Sequence, residues 1–223
     1  MNKYVRGIGM AMTVLGFGIL APSGSPAAVL FSQPFNASST QTYYSETPGY
    51  PNVYDDFALA GGGIISNVDW YGIDPNDDIT GFTVSFYSDT NGLPGTKLSS
   101  ITITGSAGET ASGSDNGPYP INDYAVNLAT TFTASPDTEY YIQIQGSSSG
   151  AGGFYWETSS QGNDGALSGL SGDNPSPLNN NLAFALNGTP LPAPEPNPLM
   201  LGWIGAALFL FRRQRPGARA DSR

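Results

Sequence analysis

The chain has 223 residues and no histidine or cysteine, which excludes disulfides, thiolate chemistry, histidine-ligated zinc and any serine–histidine triad. Its net charge of −10 is unevenly spread: between residues 28 and 194 one lysine, Lys97, stands against sixteen acids, a charge of −15. Such a surface repels phosphate backbones, so nucleic acid is excluded as a partner, while divalent cations and neutral or cationic polymers remain compatible.

Residues 1–27 read as a signal peptide. Lys3 and Arg6 make a positive start, residues 8–20 a mostly apolar run, and Ser25-Pro26-Ala27-Ala28 a small-residue cleavage site. The run is about 13 residues, short of the roughly 20 that anchor a helix across a bilayer. Cleavage after Ala27 or Ala28 is therefore expected. Without the two terminal segments about 165 residues remain, the length of one domain with a two-layer core.

That domain, residues 28–188, shows little helical periodicity and much alternation of period two. Residues 53–59 form a less regular strand containing Asp55-Asp56, the first paired acids. A glycoside hydrolase needs two carboxyls flanking one bond, but adjacent strand residues point to opposite faces, so these two do not meet one sugar. Residues 64–71 form a second strand. Trp70 shares the face of Val68 and is expected in the core, which leaves Tyr71 pointing outward.

Asp74, Asn76, Asp78 and Thr80 then place side-chain oxygens at alternate positions, a pattern that can supply several of the six to eight oxygens calcium takes. The EF-hand pattern is not met, because Ile79 stands where glycine is required and Ser85 where the closing glutamate belongs. A solvated turn before a strand is the simpler reading, and a structural calcium on Asp74, Asn76 and Asp78 the functional one.

Phe82, Val84 and Phe86 share one face of the next strand, and Asn91-Gly92 with Leu93-Pro94-Gly95 turns it back into residues 98–104. Residues 105–120, 146–153 and 159–181 are rich in glycine, serine, threonine and asparagine and read as connections. Ser114-Asp115-Asn116 matches one piece of a β-lactamase signature whose other two pieces are missing, and no Gly-x-Ser-x-Gly elbow is present.

Residues 124–128 and 154–157 read as strands. Tyr140, Ile142 and Ile144 alternate with Tyr141, Gln143 and Gln145, and Leu182, Phe184 and Leu186 alternate with alanines. Eight or nine such strands predict an all-β, antiparallel, jelly-roll-like β-sandwich. Tyr71, Tyr155 and Trp156 are the candidate glycan-stacking rings. Core filling is the alternative for each of them.

The C-terminal thirty residues do not read as part of that core. Residues 189–198 carry proline at every second position, a stiff spacer containing Pro194-Glu195-Pro196. An apolar segment, 199–211, is about 13 residues or roughly 20 Å as a helix, thinner than a hydrocarbon core of about 30 Å. A basic tail, 212–223, opens with Arg212, Arg213 and Arg215 and resists translocation.

Proline-flanked acid, short apolar segment and arginine tail together resemble the PEP-CTERM sorting signal of Gram-negative bacteria. The resemblance extends into the domain. Tyr54-Asp55-Asp56-Phe57, Val68-Asp69-Trp70-Tyr71-Gly72 and Phe82-Thr83-Val84-Ser85-Phe86-Tyr87 are similar to strands of a β-sandwich ectodomain found in front of such tails, as is Leu182-Ala183-Phe184-Ala185-Leu186.

The resemblance implies export with signal peptidase and an exosortase as processing partners, transient or retained membrane contact through the C-terminal segment, and a place at the cell surface or in the extracellular matrix. It implies association with exopolysaccharide or biofilm, a structural or adhesive role and no enzymatic activity. It brings no catalytic residues with it. A carbohydrate-binding module is the second reading and a secreted carboxylate hydrolase the third.

Overall fold

The computed structural model describes residues 27–47, 51–150, 152–170 and 174–192. The signal-peptide residues 1–26, Pro194, Glu195 and Pro196, the apolar segment 199–211, and Arg212, Arg213 and Arg215 lie outside the described residues.

Among the described residues all regular structure is strand. The chain enters as β1 (Ala28–Gln33), β2 (Thr42–Tyr44), β3 (Asn52–Ala58), β4 (Gly63–Ile73) and β5 (Ile79–Asp89). It continues as β6 (Pro94–Thr104), β7 (Thr110–Asn116), β8 (Tyr119–Ala134), β9 (Glu139–Ser148) and β10 (Tyr155–Ser159). Short strands β11 (Leu167–Gly169), β12 (Ser176–Pro177) and β13 (Asn181–Leu182) precede the closing β14 (Phe184–Pro190).

Two antiparallel sheets result. One contains eight strands, with the path β1-β14-β4-β10-β13 and with β8 on the other side of β4, β7 beyond it and β2 along β10. The other contains six, in the order β12-β11-β3-β9-β5-β6. One buried cluster joins them, as in a β-sandwich: Val68, Trp70, Tyr124 and Leu186 come from the first, Phe57, Val84, Phe86 and Ile144 from the second.

The alternation read from sequence explains why these strands face as they do. Phe82, Val84 and Phe86 are almost wholly buried, and Trp70 lies in the core as expected. Trp70 stacks on Tyr124 at 5.6 Å and meets Phe82 edge-on at 5.0 Å, while Phe86 lies flat on Phe132 at 4.4 Å. Each such ring removes enough apolar area to stabilise the fold by about 1.5–3 kcal/mol, and each pair adds about 0.5–1.5 kcal/mol. The β5–β6 turn forms at Asn91-Gly92, whose φ angles of 58° and 77° need residues that tolerate the left-handed region.

Three readings from sequence are revised. The polar run 105–120 holds β7, hydrogen-bonded to β8, and 159–181 holds β11, β12 and the start of β13. The face of Tyr141, Gln143 and Gln145, polar in pattern, is buried: Tyr141 packs with Tyr87 and Leu167, and Gln145 also reaches the Glu46 carbonyl. Gln143 and Gln145 both donate to Asn52 Oδ1, at 2.9 and 3.0 Å, so the buried amides are satisfied.

Candidate functional site: a tyrosine-edged groove

Strand β10 builds the site by alternation. Trp156 points inward, is fully buried and donates its indole N–H to the Ala183 carbonyl at 3.0 Å. It is therefore a core ring, which corrects its place among the candidate stacking residues. Tyr155 and Glu157 point the other way, onto the outer face of the eight-stranded sheet. Tyr155 pairs in register with Tyr44 on one side and Ile73 on the other, and its ring leans on Tyr44 at 4.9 Å.

A groove of about 500 Å³ opens beside Tyr155. Thr42, Ile73 and Asn76 line it, as do Asn116 and Tyr119, which pair at the tip of the β7–β8 hairpin. Tyr119 is 43% exposed. Among the described residues no charged side chain lines the groove, although the domain around it is strongly acidic.

Next to the groove lies a buried acid. Glu157 is fully buried, its Oε1 accepts from the lining residue Asn116 at 3.4 Å, and its Oε2 has no donor. Burial pushes Glu157 up to about 7, against the pull of its bonds from Asn116 and the Thr158 N–H. Neutral hydroxyls and amides beside half-open tyrosine rings suit an uncharged polyhydroxylated ligand, whose apolar face stacks while its hydroxyls exchange hydrogen bonds.

Tyr71 shares this outer face, two residues before Ile73, but does not line the groove. Its ring stacks on Phe35 at 5.0 Å and 17°, which covers one side, and burial together with Asp123 and Asp69 pushes its hydroxyl up. Of the three predicted rings, the structure thus puts Tyr155 in the groove, Tyr71 beside it and Trp156 in the core.

The acidic loop is divided between two tasks. Asp74 is buried and caps its own turn, Oδ1 accepting from the Asn76 N–H at 3.3 Å and Oδ2 from the Ile79 N–H at 2.8 Å. Asn76 and Asp78 instead lean over Gly152, where a Cβ would stand 2.6 Å from Asn76 Nδ2 and 2.8 Å from Asp78 Oδ1. Asp78 Oδ1 finds no donor. Among the described residues no three acidic side chains converge closely enough to hold a metal.

The paired acids Asp55 and Asp56 point to opposite faces, as the alternation required. Asp55 faces inward, fully buried, accepting from the Leu182 N–H at 2.6 Å and the Asp56 N–H at 2.9 Å. Desolvation raises its carboxyl well above the usual range, more than those donors pull it down. Asp56 faces outward beside Glu139, a neighbour that sequence reasoning missed. Only the β3–β9 register, with Ala58 opposite Glu139, brings the two together.

Comparison of the chain with known protein families and with curated proteins gives no match.

Proposed function

We propose that this chain is an exported, non-enzymatic surface or extracellular-matrix protein, structural or adhesive, sorted through a PEP-CTERM-type tail by signal peptidase and an exosortase. Its domain holds exopolysaccharide through the groove between Tyr155 and Tyr119. The observation that carries the binding part is the uncharged lining of a groove of about 500 Å³ in a domain of charge −15. A site for cations or basic polymers would present acids; this one presents tyrosine, asparagine and threonine.

The third reading, a carboxylate hydrolase, is disfavoured because Asp55 spends its oxygens on main-chain N–H groups inside the core. The finer description of the fold as a jelly roll belongs to the same proposal. It is supported by the way the chain crosses from sheet to sheet between β3 and β4, β4 and β5, and β8 and β9. A structural calcium at Asp74, Asn76 and Asp78 remains part of the proposal only through Asn76 and Asp78, since the Asp74 oxygens are engaged by the turn.

Co-sedimentation of the purified protein with exopolysaccharide from its host tests the groove. Saturable pelleting is expected, falling about tenfold or more in affinity for the Tyr119→Ala, Tyr155→Ala double variant, as loss of two stacking rings implies. Undiminished pelleting of the folded double variant refutes the groove. In the same host, Glu195→Ala is expected to change which cell fraction holds the protein, and unchanged fractionation refutes the sorting role.

A further inference from the structure

The groove is assembled from two parts of the chain. Thr42, Ile73 and Tyr155 lie on β2, β4 and β10, whereas every lining residue from Asn116 to Tyr119 comes from the tip of the β7–β8 hairpin. Strand β4 accompanies β8 only from Asn122 onward. Beyond that point, from Ser114 to Ile121, the two arms of the hairpin have each other as their only strand partners among the described residues. At the base of the tip the register slips between Ala111 and Ser114, and Gly113 takes a φ of 81°, a left-handed conformation that suits glycine. Ile121, buried, anchors that base.

The far end of the tip is tied down by a side chain: Asn116 Nδ2 donates to Glu157 Oε1 at 3.4 Å. Glu157 lies opposite Thr42 in the β2–β10 register, and its carbonyl accepts from the Ala183 N–H at 2.8 Å. Its carboxyl is fully buried with Oε2 unpartnered. A protonated carboxyl can stand there. An ionised one, with one long hydrogen bond and an oxygen lacking a donor, is costly out of water.

No positive charge offsets that cost. The titratable side chains on the elements around Glu157 are Tyr43 of β2, Tyr71 of β4, Asp115 and Tyr119 of the hairpin and Tyr155 of β10, none of them a cation. Burial accordingly pushes the carboxyl up to about 7, against the pull of Asn116 and the Thr158 N–H.

We propose that Glu157 is a positioning residue of the groove: while protonated it holds Asn116 and the hairpin tip against the sheet, and on giving its proton to solvent it releases them. The closed arrangement binds that proton more tightly than an open, hydrated one. Closure is therefore favoured in acid and lost as pH rises through about 7. Opening carries Tyr119 away from Tyr155, and affinity falls with the fraction of protein that keeps the groove assembled. The effect on binding rests on the glycan reading; the movement of the tip does not.

Nuclear magnetic resonance of the purified protein between about pH 5 and pH 8 tests it. The Tyr119 ring and the Asn116 side-chain amide are expected to titrate together with the Glu157 carboxyl. In Glu157→Gln, whose amide cannot ionise, the Tyr119 signal should hold still across the range. Asn116→Ala cuts the tie from a turn outside the core and is the second variant: its Tyr119 signal should keep the parent's alkaline position at every pH. Affinity for the host's exopolysaccharide should fall about tenfold from the acid to the alkaline end in the parent and stay level in Glu157→Gln. A Tyr119 signal that ignores pH in the parent, moves equally in Glu157→Gln or is unchanged by Asn116→Ala overturns the proposal. So does a parent affinity that stays level while Tyr119 moves. Tyr119 titrating with Glu157, but no pelleting at any pH, upholds the latch and refutes the glycan reading instead.

Discussion

Asp55 shows what one buried carboxylate does for a two-sheet fold. It sits on β3 in one sheet and accepts from the Leu182 N–H of β13 in the other, at 2.6 Å. With the Gln33 amide turned nitrogen-inward, Gln33 also donates to Asp55 Oδ2 at 2.9 Å and to the Leu182 carbonyl at 2.8 Å. The side chain thus ties the two layers and the first strand at one point in the interior. Asp55→Ala leaves the Leu182 and Gln33 donors buried without an acceptor, and each such orphan costs about 1–3 kcal/mol. A loss of about 2–4 kcal/mol in a urea unfolding curve is expected, with Asp55→Asn losing less because it keeps one acceptor. A loss below about 1 kcal/mol for the alanine variant would show that water replaces the carboxylate and that the tie is not structural.

At the scale of elements, β10 reaches the core only because two other strands leave space for its approach. A Cβ on Gly72 of β4 or on Gly146 of β9 would overlap Phe154, which is fully buried just before β10 begins. Glu46 holds the same segment, accepting from the Ser148 N–H and the Phe154 N–H at 3.0 Å each. Gly72→Ala should displace Phe154 and with it the entry to β10, costing about 1–3 kcal/mol as overpacking does. Thermal melting and the fluorescence of Trp156 both report it; a variant that melts like the parent would mean that Phe154 has another rotamer to go to.

The same elements show what a sequence discloses. The Phe82, Val84, Phe86 face and the inward Trp70 were legible because a strand buried on one side carries a period-two pattern. Strand β7 was not, because it is hydrogen-bonded only to β8 and buries neither face, leaving no apolar signal to read. The buried polar face of Gln143 and Gln145 misled for the opposite reason: polar side chains alternate the same way whether water or an asparagine satisfies them. The Asp56–Glu139 contact needed the register of two strands more than eighty residues apart in sequence, information that no local pattern holds.

Over the whole molecule the ends and the charge act together. Strand β1 pairs with β14, Ala28 opposite Gly188, so the chain enters and leaves the domain at the same edge. On the proposed sorting reading the 189–198 spacer would hang the domain from that edge, and cleavage after Ala27 would leave β1 complete. The domain itself is an acidic body in which, among the described residues, every carboxyl with a resolved shift is displaced upward: Asp55, Asp69, Glu109 and Asp123, with Glu139 and Glu157 reaching about 7. A carboxyl whose folded pKa exceeds its unfolded value binds its proton more tightly in the folded state. Its contribution is therefore full at pH below about 4.5 and lost as pH climbs through about 7. Glu139 faces Asp56 from β3 and Asp89 from β5 with Tyr141 beside it on β9, and Lys97, the one basic side chain among the described residues, sits over Tyr87, so no basic side chain offsets the loss. The melting temperature is expected to fall by on the order of 5 °C between about pH 5 and pH 8, opposite to the usual rise of a salt-bridged protein leaving acid. Glu157→Gln should flatten part of that slope, since the amide stays neutral throughout. A melting temperature that rises from pH 5 to pH 8 would mean that these carboxyls are held by donors or positive charge in solution and not displaced upward by burial.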